Sequence, residues 1–187
     1  VEDGGSITAN GSGSSSAIDV TDNFGAANIS IFGDVSSGYE NARDTSGTAI
    51  KMNANGNIYL KEGGTITGNV IGTTSATRNP NLFIYGTMKG RVRDVNAYSL
   101  KPGGTHYLPI NPGGSVFGDM AIKASHVAEA SGTIQPYLTS FDKGSGKAIR
   151  IIQGAGADKF DPARFGNTAA TTFHFSGATP TYIDFRG

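Results

Sequence analysis

A short motif built on paired glycines returns along this chain and limits what it can fold into. Gly4-Gly5-Ser6-Ile7-Thr8-Ala9-Asn10 closely matches Gly63-Gly64-Thr65-Ile66-Thr67-Gly68-Asn69, and Gly113-Gly114-Ser115-Val116-Phe117-Gly118-Asp119 fits the same template. The template is two glycines, a hydroxyl residue, a β-branched residue, a variable residue, a small one, then Asn or Asp. A second echo joins Ser16-Ala17-Ile18-Asp19 to Thr48-Ala49-Ile50-Lys51. Repeats of this kind mark solenoids, in which each unit buries its apolar face against its neighbours. The separations of the glycine pairs, 59 and 50 residues, are unequal. The repeat is therefore degenerate and carries loops of varying length. At roughly 20 residues per coil, each separation corresponds to two or three coils.

Between the glycines the pattern has a period of two. In Asn57-Ile58-Tyr59-Leu60-Lys61, Thr65-Ile66-Thr67 and Lys147-Ala148-Ile149-Arg150-Ile151-Ile152, apolar side chains face one way and most polar ones the other. Helical signal is thin, because the five leucines (Leu60, Leu82, Leu100, Leu108, Leu138) form no stripe. Met120 to Ala130 is the one stretch able to coil, and the alternation of Met120, Ile122 and Ala124 favours a strand for its first half. A sandwich of hairpins is the competing all-β solution. It needs tight turns such as Asn55-Gly56 between paired runs, whereas most breaks here are longer and irregular. The expected fold is all-β, a right-handed parallel β-helix. Residues 1–130 are assigned to its coils and 131–187 to a C-terminal cap, where Phe160, Phe165, Phe173, Phe175, Tyr182 and Phe185 concentrate.

Composition agrees with this. The 28 glycines lower the hydrophobic share to 37%, yet runs such as Ile29-Ser30-Ile31-Phe32 and Asn81-Leu82-Phe83-Ile84-Tyr85 argue against disorder. Fifteen basic and 15 acidic residues cancel, which leaves no electrostatic reason to bind nucleic acid. Cysteine and tryptophan are absent, Lys and Glu are few, and Gly, Ser, Thr and Asn abound, as in extracellular repeat proteins. Val1-Glu2-Asp3-Gly4 has neither the basic start nor the apolar core of a signal peptide. No apolar run approaches the roughly 20 residues of a membrane span. Any targeting signal or anchor is expected outside this sequence, and no membrane insertion is expected within it.

Ile66-Thr67-Gly68-Asn69-Val70, Ile31-Phe32-Gly33-Asp34-Val35 and Val116-Phe117-Gly118-Asp119-Met120 resemble the passenger repeats of classical autotransporters. Gly132-Thr133-Ile134, followed by Gly146-Lys147-Ala148-Ile149-Arg150-Ile151-Ile152-Gln153-Gly154, resembles the last coils of such passengers. The resemblance covers most of the chain through motifs of low specificity. It implies a secreted or cell-surface bacterial segment that acts as scaffold or adhesin. It also implies that the C-terminal third, an autochaperone-like region, aids passenger folding during secretion. Implied partners are a host surface or glycan and the rest of a longer chain. Parallel β-helices also occur in phage tailspikes and pectate lyases, so a carbohydrate-active β-helix enzyme or a tailspike-like fragment is the alternative.

Motifs for chemistry are weak. Gly154-Ala155-Gly156-Ala157-Asp158 is one copy of a pattern that needs successive repeats to hold calcium, and it reads as a turn. Gly144-Ser145-Gly146-Lys147-Ala148 lacks the first glycine and the final hydroxyl of a phosphate loop. His106, His126 and His174 lie far apart, with no Glu at metal-ligand spacing, and His174 reads as the polar face of a strand. Asp19, Asp22, Asp34 and Asp44 either line one face, as a polysaccharide-cleaving site requires, or serve as turn residues. Asn10, Asn69 and Asp119 read as structural groups that satisfy backbone donors at corners. No Gly-x-Ser-x-Gly elbow occurs. No residue is assigned a catalytic, cofactor-binding or metal-binding role. Binding is expected from flat faces and from loops, including Gly38 to Arg43 and Arg91 to Asp94.

Overall fold

A computed structural model describes residues 1–9, 15–37, 47–73, 78–110, 121–138, 149–160, 172–175 and 182–186. The strands in chain order are β1 (Ser6–Thr8), β2 (Ser16–Ile31), β3 (Asp34–Ser36), β4 (Thr48–Leu60) and β5 (Thr65–Thr67). Then follow β6 (Asn69–Ile71), β7 (Pro80–Ile84), β8 (Thr87–Lys89), β9 (Val92–Leu100) and β10 (Thr105–Ile110). The last are β11 (Ile122–Ala130), β12 (Thr133–Leu138), β13 (Ile149–Ala155), β14 (Thr172–Phe175) and β15 (Tyr182–Arg186). The only helix among the described residues is one 3-10 turn, Ala157–Lys159.

Two sheets run side by side. The first stacks β1, β3, β5, β8, β10 and β12, all parallel. The second stacks β2, β4, β6 with β7, β9, β11 and β13, also parallel. The chain thus alternates between sheets and climbs one rung per circuit, a parallel β-solenoid as the repeats imply. Coil lengths differ more than a uniform 20 residues. Stacked partners are 28 residues apart at Ser6 and Asp34, 31 at Asp34 and Thr65, but only 18 at Thr87 and Thr105.

Both sequence echoes fall in register. Ser16 pairs with Thr48, Ile18 with Ile50 and Asp19 with Lys51. Gly4-Gly5 and Gly63-Gly64 occupy the same turn two rungs apart. The third copy of that turn is Gly103-Gly104-Thr105; Gly113-Gly114, the third pair to fit the sequence template, lies outside the described residues. In each copy the second glycine donates its N–H three residues back, from Gly5 to Glu2, Gly64 to Lys61 and Gly104 to Lys101, all at 3.0 Å. Gly4, Gly63 and Gly103 hold φ of 72°, 83° and 83°. A left-handed third residue defines a type II turn and explains why glycine stands there. The autotransporter-like pentapeptides are not equivalent to one another. Ile31–Val35 rounds the corner from the second sheet into the first, and Ile66–Val70 rounds the opposite corner.

The core is a set of apolar columns. Val35, Ile66, Met88 and Ile134 point inward from the first sheet, and Ile58, Leu82, Tyr98 and Val127 from the second, all essentially inaccessible. Ile31, Leu60, Ile84 and Leu100 form a further column at the corner. Each such side chain contributes about 1.5–3 kcal/mol through burial, which offsets the backbone entropy lost in short strands. Outside, an amide ladder runs along the second sheet. Asn57 donates to Asn28 (2.9 Å), Asn81 to Asn57 (3.0 Å) and Asn96 to Asn81 (2.8 Å). These are the stacked amides; Asn69, expected in that structural role, is buried and accepts the Arg91 N–H at 2.9 Å. Asn10 and Asp119 lie outside the described residues.

The parallel ladder continues through β12 and β13. Beyond them the direction changes, because β15 lies antiparallel on β13 and β14 antiparallel on β15. Phe160, 1% exposed, closes against Tyr98 with ring centroids 5.8 Å apart. Gly154 to Asp158 leads from β13 into the 3-10 turn, and there Lys159 Nζ donates to the carbonyls of Val127 (3.0 Å) and Ala128 (3.1 Å).

Candidate functional site

Residues two apart on a strand share a face. On the outer face of the second sheet this rule assembles a patch at the end of every strand. One column runs Ser30, Tyr59, Phe83, Ser99 and Glu129, set by register. Two positions further on lie Phe32, Lys61, Tyr85, Lys101 and Ser131. Their N–H groups donate to the rung before: Lys61 to Ile31, Tyr85 to Leu60, Lys101 to Ile84 and Ser131 to Leu100, at 2.8–2.9 Å. The result is a ledge four rungs and more in length, in which rings and ammonium groups alternate.

The ledge is internally braced. Tyr59 and Phe83 stack with centroids 5.0 Å apart and planes 13° apart. The Lys61 ammonium lies 4.7 Å from the Tyr59 ring centre and 5.8 Å from that of Tyr85, and Lys101 lies 5.7 Å from Phe83. Contacts of this type contribute about 0.5–1 kcal/mol each at exposed sites. Lys101 also forms an ion pair with Glu129. That hydrogen bond raises the Lys101 pKa and lowers that of Glu129. Lys61 forms no carboxylate pair among the described residues. Phe32 and Tyr85 remain 44% and 36% exposed, two of the four large hydrophobic side chains left open among the described residues. A surface of outward rings with an ammonium held over them can pack against the apolar face of a sugar or a peptide side chain, and it offers a donor to a polar group.

Two titratable groups strongly altered by their surroundings, His106 and Tyr98, are internal. His106 points into the core from β10, fully buried. Its Nε2 lies 2.9 Å from Gly90 O and its Nδ1 2.8 Å from Tyr98 Oη. A carbonyl only accepts, so Nε2 carries the proton and Nδ1 accepts from the tyrosine. Burial lowers the His106 pKa to about 4, against the opposing pull of the Gly90 carbonyl. Burial also pushes the Tyr98 hydroxyl well up. Every polar atom of the ring is satisfied, so this histidine is a pin between sheets.

The structure scatters the residues singled out by sequence. Asp19 and Asp34 stand on different sheets, both exposed and both within strands rather than turns. Asp19 lies 3.9 Å from Lys51. Asp22 belongs to β2, and Asp44 lies outside the described residues. His126 is exposed on β11, and His174 lies within β14. Arg91 to Asp94 is no protruding loop: Val92 opens β9, Arg91 is buried, and Asp94 sits at a register shift with φ of 54°. Asp94 pairs with Lys123 at 2.6 Å. Gly38 to Arg43 and Gly144 to Ala148 lie outside the described residues. Among those described, no three His, Asp or Glu side chains gather to hold a metal ion. The sequence does not single out the ledge, because Tyr59, Phe83 and Tyr85 are also ordinary strand formers. Their place on the outward half of the alternation was the available signal.

No family model, curated protein or solved structure matches the chain.

Proposed function

We propose that this chain is a β-helical segment of a secreted bacterial surface protein of the autotransporter-passenger kind, a scaffold that adheres through its aromatic ledge to a host surface or glycan. The observation that carries the reading is the ledge itself, where Phe32, Tyr59, Phe83 and Tyr85 face outward on consecutive rungs instead of entering the core. Burying such rings is the ordinary outcome, and an open row of them on a rigid scaffold is what a binding face requires. Backbone ladders fix the ring positions, so little ordering entropy is lost when a ligand seats. The passenger-like wording of Ile66–Val70 and Gly132–Ile134 supports the secreted setting.

The test is adhesion by the chain to immobilised glycans and to cultured cells, compared with the double variant Phe32→Ser, Tyr85→Ser. Both side chains lie outside the core, so the circular dichroism should not change. Binding should fall at least about tenfold, the effect of losing roughly 1.4 kcal/mol. Equal binding by parent and variant would overturn the role of the ledge.

A further inference from the structure

The two ends of the solenoid are built differently. At the C-terminal end β13 is covered by the antiparallel β15. At the other end β1 and β2 each have one neighbour among the described residues, β3 and β4, as β12 has only β10 in the first sheet. The open edge is not finished as an outer surface. Ile18, Val20, Ala27 and Ile29 on β2 are half-buried, whereas their rung partners Ile50, Met52 and Ile58 are fully buried. Ile7 is 39% exposed while Val35, stacked beneath it, is 1% exposed. The amide ladder also stops short, since Asn28 accepts from Asn57 but donates its own amide to no described group.

One piece of this edge is already occupied, and it fixes the geometry of the rest. Phe32 N donates to Val1 O at 2.8 Å, the bond that Lys61 N makes to Ile31 O and Tyr85 N to Leu60 O. The Val1 amino group donates to Ser30 O at 2.9 Å. Val1 therefore holds the position above Ile31 that Ile31 holds above Leu60. Val1-Glu2-Asp3-Gly4-Gly5 repeats Leu60-Lys61-Glu62-Gly63-Gly64, the segment by which β4 passes into its type II turn.

We propose that the β1–β2 end is an interface for one more coil of the same chain, seated as a parallel strand on β2 and leading into Val1. Its inward positions carry apolar residues over Ile18, Val20 and Ile29, and an Asn over Asn28 extends the ladder. The main-chain bonds repeat those between β2 and β4, and this continuity with an interface inside the molecule selects a parallel coil over other occupants. Edge strands in finished proteins are shortened, charged or covered. Here β2 is the longest strand among the described residues, 16 residues, and its edge has none of these protections along Ala27 to Ile29.

The experiment fuses a copy of the twelve residues Thr48 to Tyr59 directly ahead of Val1, with a scrambled twelve-residue extension as control. Ser30 O and Phe32 N face the edge, so by alternation the amides of Asn28 and Ser30 do as well. In the fusion these two amides should exchange at least about tenfold more slowly than in the scrambled control. The inference is independent of adhesion, because the readout is protection of two named amides and the ledge is untouched. Equal exchange in the two extensions would overturn it. So would a concentration-dependent dimer of the parent chain that already protects Asn28 and Ser30, which would make a second copy the occupant.

Discussion

Acid should loosen this solenoid through a single internal side chain. His106 is neutral in the fold, with its pKa lowered from 6.5 to about 4 by burial. The unfolded chain takes up a proton near pH 6.5, and the native one does not until about pH 4. Protons therefore favour unfolding across that window. The contribution of His106 is intact above pH 6.5 and is lost as pH falls toward 4. Linkage at 1.36 kcal/mol per pKa unit gives a loss of about 2 kcal/mol by pH 5 and about 3 kcal/mol at pH 4. Urea denaturation of the parent chain and of His106→Gln, at half-unit steps from pH 7.5 to 4, isolates this term. Subtraction of the two curves cancels the carboxylates common to both. The parent should lose stability relative to the variant by those amounts as the pH falls. Histidine nuclear magnetic resonance offers a second reading that needs no variant, as the His106 ring should stay neutral through pH 5. A flat difference curve from pH 7 to 5, or a ring that titrates near 6.5, would refute the reasoning.

Three other substitutions probe the architecture. A Cβ at Gly86 would lie 2.4 Å from the carbonyl oxygens of Gly64 and Lys61, whereas one at Gly63 meets nothing within 4 Å. Gly86→Ala should therefore cost about 3 kcal/mol by overpacking, against about 1 kcal/mol for Gly63→Ala, where only the left-handed φ is strained; thermal melts showing equal costs would contradict the stacking. Ile66→Asp places a carboxylate in a fully buried site and should unfold the chain or remove several kcal/mol, while an unchanged melting temperature would mean the strand register is wrong. Asn57→Ala breaks two rungs of the amide ladder and should cost about 1 kcal/mol in a partly wet setting, read from the shift in urea midpoint.

Much of the coil design was legible in the sequence because it depends on local rules. The alternation in Asn57 to Lys61 and in Thr65 to Thr67 named the inward residues, and Ser16-Ala17-Ile18-Asp19 named its own rung partner in Thr48 to Lys51. Lateral placement was harder to see. That Asp19 and Asp34 face different ways depends on how many residues each corner consumes, which no motif states. Gly113-Gly114 fits the seven-residue template and Gly103-Gly104 does not, because His106 stands where the template has a β-branched residue. The turn itself requires only the left-handed residue and the glycine after it. His106 looked like an isolated histidine, since Tyr98 and Gly90 reach it by stacking of β8, β9 and β10. The ledge is hidden for the opposite reason: its residues fit a strand so well that the pattern alone gives them no further role.

The corners carry a record of how such a chain can lengthen. Returns from the second sheet to the first alternate strictly: four residues at Glu2 to Gly5, two at Phe32-Gly33, four at Lys61 to Gly64, two at Tyr85-Gly86, four at Lys101 to Gly104, two at Ser131-Gly132. Each short corner seats its glycine against the long corner below, with a Cβ at Gly33, Gly86 or Gly132 falling within 2.6 Å of two carbonyls there. Like corners placed on like would lose that fit. The unit that repeats with matched corners is therefore a pair of coils, and adding or removing a single coil would leave a mismatched joint. The opposite corners obey no such rule, spanning one residue at Gly68 and eleven at 37–47. Insertions can accumulate there while the glycine side stays fixed, so new surface can be acquired on one edge of the solenoid without renegotiating its core.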